Sequence, residues 1–251
     1  MNKRIITYVV NLKRDVERHV YMEKLLAPYN FLSVEFVDAI YGNDLTKEEL
    51  LEVFDVDLSY KRYGRALNRG EIGCTLSHYK CYRKLLMSSS DYALILEDDI
   101  TILNNIDIIK DVESIFNSNE PLVLFLSGDY WYKKCTEVIS DKKILSVYDA
   151  VGTYAYFINK AGARLILEKN IKAACAADDW SMYRRQGLKM KAFYPYLIDA
   201  NIESLESTIN QTYFGENRNN MPWKFRLRTY WNALVKKILL KQGKFVSKIR
   251  K

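Results

Sequence analysis

Three consecutive acidic residues, Glu97, Asp98 and Asp99, directly follow a short apolar segment. That segment, residues 92–96, has the composition of a buried strand, so the triplet is predicted at the edge of a sheet where α/β proteins bind ligands. Adjacent carboxylates repel one another, which costs stability unless a cation or hydrogen-bond donors offset the charge. Mg²⁺ or Mn²⁺, held by one or two carboxylates and phosphate oxygens, would suit a nucleotide diphosphate. A solvated acidic turn is the alternative interpretation.

Apolar segments of strand and helix character alternate along the chain around this triplet. Strands are predicted at residues 4–10, 34–37, 92–96, 122–126, 144–147, 153–158 and 191–194, and helices at 15–27, 47–54, 70–87, 161–168 and after 178. This order predicts an α/β fold with a mainly parallel sheet flanked by helices. Residues 55–69 have no period and are rich in Tyr and Arg, so they are predicted as a surface loop.

The composition is that of a globular protein. Of the 251 residues, 49% are apolar and 27% are charged, with 10 Gly and 4 Pro, which excludes a disordered chain. No apolar run approaches the roughly 18 residues that span a bilayer, and the run at residues 5–10 is too short for a signal peptide, so a cytoplasmic protein is expected. The four cysteines form no CxxC pair and are expected to be reduced.

The excess positive charge lies at the end of the chain. Residues 221–251 hold ten Lys or Arg and no acid, and the remaining residues hold 28 basic against 31 acidic residues. Apolar residues of this segment share one arc of a helical wheel: Trp223, Leu227, Tyr230, Trp231, Leu234 and Ile238. The pattern predicts a basic amphipathic helix on an anionic membrane surface, with a terminal helix packed on the core as the alternative. A nucleic-acid-binding domain would carry basic residues over its folded body, so no nucleic acid partner is expected.

Several motifs together resemble glycosyltransferase family 25, which includes bacterial lipooligosaccharide β-galactosyltransferases and collagen-modifying enzymes. The matching segments are NLKRDVER, DAIYG, RGEIGCTLSHYKCYRKLL, ALILEDDI and GTYAYFINKAGARLIL. They occur in the family's order over about residues 4–180, and the pair GEIGCTLSH and LEDD is the most specific. The resemblance does not extend to the chain beyond residue 210.

The resemblance implies a GT-A type, Rossmann-like fold, a UDP-sugar donor, a bound Mn²⁺ or Mg²⁺ and inversion at the anomeric carbon. We therefore expect a GT-A-like domain over residues 1–210 and a membrane-associating tail over 211–251. The expected reaction moves galactose from UDP-galactose to a lipid-linked oligosaccharide, the lipooligosaccharide or lipopolysaccharide acceptor, at the inner face of the cytoplasmic membrane. A metal-dependent phosphoryl-transfer enzyme and a non-catalytic membrane-binding module are the alternatives.

By this resemblance, the acidic triplet takes the metal and donor roles. Asp99 is the first choice for the direct metal ligand, and Glu97 and Asp98 would hold a metal-bound water or the ribose. We assign Glu97 to the metal and Asp98 to the donor, although the triplet departs from the plain Asp-x-Asp form of such motifs.

Residues after the first strand and on the predicted helix 70–87 are donor-binding candidates. Asn11 and Arg14 follow the strand where GT-A-like sheets place uracil and ribose, and could pair with a base edge or neutralise phosphate. An exposed helix face is the alternative interpretation of Arg14 and the expectation for Arg18, one turn later. A helical His such as His78 is often a core residue, but the resemblance gives it a role at the donor phosphates, the ribose or the metal.

Inversion requires a general base that takes the proton of the acceptor hydroxyl. No histidine follows residue 78, so a base from the later half of the chain would be a carboxylate. Asp178 and Asp179 are the candidates, with Asp179 preferred and the other residue expected to cap the following helix. Gly152 and Thr153 precede a predicted strand and are expected to line the donor sugar.

Overall fold

The computed structural model describes residues 4–139, 142–201 and 223–241, so the predicted domain boundary at residues 210 and 211 lies outside the described residues. The strands and helices are β1 (Ile5–Asn11), α1 (Val16–Leu26), β2 (Leu32–Asp38), α2 (Lys47–Val53), α3 (Val56–Tyr63), α4 (Arg69–Met87), β3 (Tyr92–Glu97), β4 (Ile100–Ile102), β5 (Leu122–Phe125), β6 (Asp129–Ile139), β7 (Lys142–Val151), β8 (Ala155–Asn159), α5 (Lys160–Lys169), α6 (Trp180–Arg185), β9 (Lys189–Tyr194), β10 (Ile198–Ala200) and α7 (Trp223–Lys241). Two 3₁₀ helices span Gly42–Asp44 and Asp107–Phe116.

The strands form an eight-stranded sheet in the order β2-β1-β3-β8-β5-β9-β7-β6, beside a two-stranded pair of β10 and β4. β8 and β7 run antiparallel to their neighbours, and the other six strands of the large sheet share one direction. The predicted α/β fold is therefore confirmed, and its mainly parallel sheet contains two reversed strands. Reversal of β8 brings the residues that precede it to the edge where β1 and β3 end.

β3 is buried because helices cover both faces of the sheet. Its successive side chains alternate between two apolar clusters: Ala93 and Ile95 face one, and Leu94 and Leu96 face the other. All four are 0% exposed. Full burial of such a leucine or isoleucine contributes about 1.5–3 kcal/mol. β3 is thereby held rigidly, and the carboxylates at its end have a defined position.

The prediction of a surface loop over residues 55–69 is wrong for its first half, which forms α3. Asp55 caps this helix, accepting a hydrogen bond from the backbone N of Leu58 at 2.8 Å. Gly64 ends it in the left-handed conformation, with φ of 69°. Both are ordinary signals for the start and end of a helix. The sequence shows no helical periodicity here because α3 has only eight residues and one fully buried side chain, Ser59.

α4 packs closely on the turn that follows β2. Its first turn is closed by a capping box between Asn68 and Glu71. A Cβ atom on Gly73 would lie 2.4 Å from the backbone oxygen of Ile40, so only glycine permits this approach. The close contact sets Cys74 and His78, further along the same helix, at the carboxyl edge of the sheet.

A helix is present in the basic tail, as predicted, over Trp223–Lys241. Five apolar residues of the predicted helix arc are between 44% and 69% exposed: Trp223, Leu227, Tyr230, Trp231 and Ile238. We call these five residues the aromatic face of α7. Lys236 forms an ion pair with Asp149 of β7, and its Nζ lies 5.1 Å from the centre of the Trp131 ring. α7 thus lies against the body at Lys236 and α3, and its aromatic face is largely exposed. None of the helices within the described ranges has the length and apolar character needed to cross a bilayer.

Candidate functional site

Two adjoining cavities open at the carboxyl edge of the sheet. The walls of the first include Arg18, Tyr41, Cys74, His78, Glu97 and Asp99. The walls of the second include Glu71, Cys74, Glu97, Gly152, Thr153 and Asp178. Because Cys74 and Glu97 belong to both walls, the two cavities form one site between β1, β3, α4 and the start of β8.

The middle residue of the acidic triplet, Asp98, is 8% exposed and fully engaged by protein donors. Asn11 Nδ2 donates to its Oδ2 at 2.8 Å, and Arg18 Nη1 donates to its Oδ1 at 2.7 Å. Burial raises the pKa of Asp98, and these two hydrogen bonds counteract the rise. The structure thus pairs two predicted donor-binding residues, Asn11 and Asp98, with each other, and Asp98 ties the end of β3 to β1 and α1.

Arg18 is buried, so the expectation of an exposed Arg18 is wrong. It is 8% exposed, and its Nη1 also lies 3.4 Å from Oδ2 of Asp99. The reason is electrostatic, because a buried arginine is stabilised by the carboxylates that face it. The sequence shows only the charged residues next to Arg18 on α1. Its partners follow β3 and are about 80 residues away in the chain.

Asp99 and Glu97 retain capacity for a cation. The Oδ1 atom of Asp99 is buried without a hydrogen-bond partner, which is unusual for a carboxylate oxygen. Burial, followed by the charge of Glu97, raises the pKa of Asp99 to about 6. Glu97 accepts a hydrogen bond from Thr153 Oγ1, and its Oε1 lies 3.6 Å from His78 Nε2. These oxygens fit the preference of Mg²⁺ and Mn²⁺ for carboxylate ligands.

His78 is 1% exposed and lies between the first cavity and the core. Its Nδ1 is 2.7 Å from the hydroxyl of Tyr156, which is in turn 2.8 Å from the hydroxyl of Tyr82. Its Nε2 is buried and has no hydrogen-bond partner. The two tyrosines therefore fix the imidazole and leave one nitrogen available on the cavity side.

The two candidate bases have different environments. Asp179 caps α6: its Oδ1 accepts from the backbone N of Met182 at 3.1 Å, and its Oδ2 accepts from the hydroxyl of Tyr63 at 2.7 Å. Asp178 lines the second cavity, where its Oδ2 accepts from the backbone N of Gly152 at 3.2 Å. Burial raises the pKa of Asp178 above its ordinary value. Asp179 thus caps α6, and Asp178 is the member of the pair that lines the second cavity.

Gly152 and Thr153 line the second cavity together with Asp178 and Glu97. Gly152 has φ of 92°, a left-handed conformation that side chains other than hydrogen disfavour. Both of its backbone groups are held, since the N–H donates to Asp178 and the carbonyl accepts from Trp180 Nε1 at 2.8 Å. The segment before β8 is therefore fixed against the start of α6.

Arg14 lies at the rim of the first cavity. Its guanidinium carbon is 3.5 Å from the centre of the Tyr41 ring, and Tyr41 lines that cavity. The side chain of Arg14 is half exposed, whereas that of Arg18 is 10% exposed. Arg14 thus lies beside the first cavity, next to Tyr41, and takes no part in the ion pairs of Asp98 and Asp99.

Cys74 was absent from the predicted site residues. Cys74, His78 and Glu97 each offer one ligand atom within 4.8 Å of the others, which no other set of three such residues does in the described part of the chain. Burial, with the nearby charge of Glu97, raises the pKa of the Cys74 thiol, so it is not an activated nucleophile. The four-residue spacing from His78 on a predicted helix was the signal in the sequence.

The chain is similar in sequence to a known family. The model of glycosyltransferase family 25 (LPS biosynthesis protein) matches residues 4–182. A glycosyltransferase 25 family member of Drosophila melanogaster is 38% identical over 96 residues, which are 37% of this chain and 16% of the relative. Procollagen galactosyltransferase 1-B of Xenopus laevis is 28% identical over 176 residues, covering 64% of this chain and 27% of the relative. The chain therefore spans less than two thirds of the length of these relatives.

A solved structure is also similar. The apo-form glycosyltransferase GlyE of Streptococcus pneumoniae matches with a TM-score of 0.40 and 15% identity, over 97% of this chain and 65% of that one.

Proposed function

Since the chain belongs to glycosyltransferase family 25, we propose that it is an inverting, cation-dependent transferase that moves galactose from UDP-galactose to a lipooligosaccharide or lipopolysaccharide acceptor. The observation that carries the proposal is the pair of adjoining cavities at the carboxyl edge of the sheet, which share Glu97 and are lined by Asp99 in the first and Asp178 in the second. The name of the Xenopus relative, a procollagen galactosyltransferase, supports galactose as the transferred sugar.

In this proposal the donor occupies the first cavity. Asp99 and Glu97 would hold Mn²⁺ or Mg²⁺, which when bound neutralises charge on the departing UDP. His78 would contact the phosphates, the ribose or a bound metal ion through its Nε2 atom. Arg14 and Tyr41 would contact the nucleoside at the rim. Arg18 holds Asp98 and thereby ties the end of β3 to α1.

The acceptor would enter the second cavity, where Asp178 takes the proton of its hydroxyl. Burial raises the pKa of this carboxylate, which makes it a stronger base than an exposed aspartate. The hydrogen bond from the backbone of Gly152 to Oδ2 fixes the orientation of the carboxylate, so Oδ1 would receive the proton. Thr153 and Glu97 would line the sugar between donor and acceptor.

The decisive experiment measures UDP release by the purified chain with a panel of UDP-sugars and a lipooligosaccharide acceptor. We expect turnover with UDP-galactose and Mn²⁺. Chelation of the cation should lower the rate by at least about tenfold, because a bound cation contributes several kcal/mol of charge stabilisation. Release of UMP or phosphate in place of UDP would favour a phosphoryl-transfer enzyme, and equal rates with and without a chelator would remove the cation from the proposal.

We also propose that α7 attaches the protein to the inner face of the cytoplasmic membrane, close to its lipid-linked acceptor. The exposed aromatic face supports this, because Trp and Tyr side chains favour the headgroup region. The ten basic residues of the tail add about 1 kcal/mol each near an anionic lipid surface.

Replacing both Trp223 and Trp231 with Ser should weaken binding to anionic vesicles at least about tenfold, because burial of each ring contributes about 1.5–3 kcal/mol. Co-sedimentation with phosphatidylglycerol vesicles measures this loss. The matched control is Ile171→Ser, which removes an apolar side chain that is 87% exposed and lies outside α7. Equal binding of the double variant and the control would contradict the proposal.

A further inference from the structure

Three different ligand types converge at the boundary of the two cavities. Cys74 and His78 lie four residues apart on α4, so their side chains share one helix face. Glu97 reaches them from the end of β3, and one sulfur, nitrogen or oxygen atom of each residue lies within 4.8 Å of the other two. Two secondary-structure elements held by the core therefore present a preformed group of three donors.

The imidazole of His78 provides independent support for a ligand. Buried polar atoms in folded proteins are almost always hydrogen-bonded, yet the Nε2 atom of this side chain, which is 1% exposed, has no such partner. The Tyr156 hydroxyl, itself hydrogen-bonded to that of Tyr82, holds the opposite nitrogen, as outer-shell groups do around metal-bound histidines. When Nδ1 donates to Tyr156 and Tyr156 donates to Tyr82, Nε2 keeps its lone pair on the side of Glu97.

We propose that Cys74, His78 and Glu97 bind a thiophilic divalent cation of the Zn²⁺ or Co²⁺ type. Such ions accept sulfur, nitrogen and oxygen ligands together, whereas Mg²⁺ takes oxygen ligands. A thiol that coordinates such an ion loses its proton. One thiolate and one carboxylate then balance the charge of the ion, and three protein ligands leave its fourth position open to the cavity.

The carboxylate that completes this set is itself oriented. Thr153 Oγ1 donates to the Oε1 atom of Glu97, so the segment that precedes β8 positions the ligand. The inference deepens the proposed function, since the ion would lie in the wall shared by the donor and acceptor cavities. Oε1 of Glu97 faces His78, and Oε2 would remain for the cation of the donor. It rests on that function only for the role of the ion, because binding of the metal alone requires no sugar transfer.

The test is a titration of the metal-free full chain with Co²⁺, followed by displacement with Zn²⁺. We expect one equivalent of Co²⁺ to produce the near-ultraviolet absorption of a cobalt–thiolate bond, and Zn²⁺ to abolish it. Cys74→Ser should remove this absorption and weaken Zn²⁺ binding at least about tenfold, since even outer-shell changes cost 10–100-fold. Cys81→Ser is the matched control, because this cysteine lies on the same helix, within the core cluster.

Glu97→Gln provides a second variant if Cys74→Ser fails to fold. It should keep the cobalt–thiolate absorption and bind Co²⁺ about tenfold or more weakly. Absence of the absorption in the unsubstituted chain, or its persistence in Cys74→Ser, would overturn the inference. Cobalt–thiolate absorption in a chain that transfers no sugar would support the metal site and contradict the proposed function. Sugar transfer by a chain without this absorption would support the proposed function and contradict the metal site.

Discussion

Asp178→Asn should lower kcat for sugar transfer by about 10²–10⁴-fold, the usual contribution of a general base. Asparagine keeps the size of the side chain and still accepts the hydrogen bond from Gly152, so the cavity should persist. It cannot take a proton from the acceptor hydroxyl. Initial rates of UDP release at saturating donor and acceptor measure the loss, and circular dichroism verifies the fold.

Asp179→Asn is the matched control for this substitution. Asparagine caps helices as well as aspartate does, so α6 should be retained and kcat should stay within a few-fold. The reverse result, a large loss in Asp179→Asn with Asp178→Asn active, would return the base to Asp179.

The pH dependence offers a separate measurement on the unsubstituted protein. Only the ionised carboxylate of Asp178 accepts a proton, and burial raises its pKa. The rate should therefore fall with decreasing pH through a value above the about 3.9 of an exposed aspartate. An acid limb at or below that value would contradict a buried base.

Arg18→Met should lower the free energy of unfolding by about 3–5 kcal/mol, because it leaves the Asp98 carboxylate buried without its cation. The guanidinium donates to Asp98 at 2.7 Å, and both side chains are close to 10% exposed. Methionine retains much of the apolar stem, so the loss reports chiefly on the charge. Urea unfolding followed by tryptophan fluorescence measures it.

Two further variants separate this ion pair from a general effect of removing arginine. Adding Asp98→Asn to Arg18→Met should restore part of the stability, since a neutral side chain no longer needs the guanidinium. Arg14→Met, at the half-exposed rim, should cost less than about 1 kcal/mol. Equal losses for Arg14→Met and Arg18→Met would show that Asp98 does not depend on its partner.

The elements of the sheet were predictable where apolar residues repeat regularly. β1, β3 and β5 were anticipated within one or two residues, since helices on both faces require continuous apolar runs. The capping box of α2 was also recognisable, because Thr46 and Glu49 have the required spacing. Local rules therefore account for much of the framework that carries the site.

Features that depend on distant partners were not predictable in this way. β6 carries Lys and Thr where a buried strand would carry apolar residues, and it forms by pairing with β7. Arg18 resembles a surface residue until Asp98 is brought beside it from 80 residues away. Asp178 and Asp179 are chemically identical, and only the direction of the chain before α6 determines which one faces the cavity.

The reversed direction of β8 affects which part of the chain can change substrate specificity in this fold. β1 and β3 supply residues that leave a strand, whereas β8 supplies Gly152 and Thr153 as the chain enters one. Lengthening or shortening the connection from β7 would reshape the wall beside Glu97 without disturbing the ladder between β3 and β8. A new substrate preference could therefore evolve through the connection between β7 and β8 while the rest of the architecture is inherited intact.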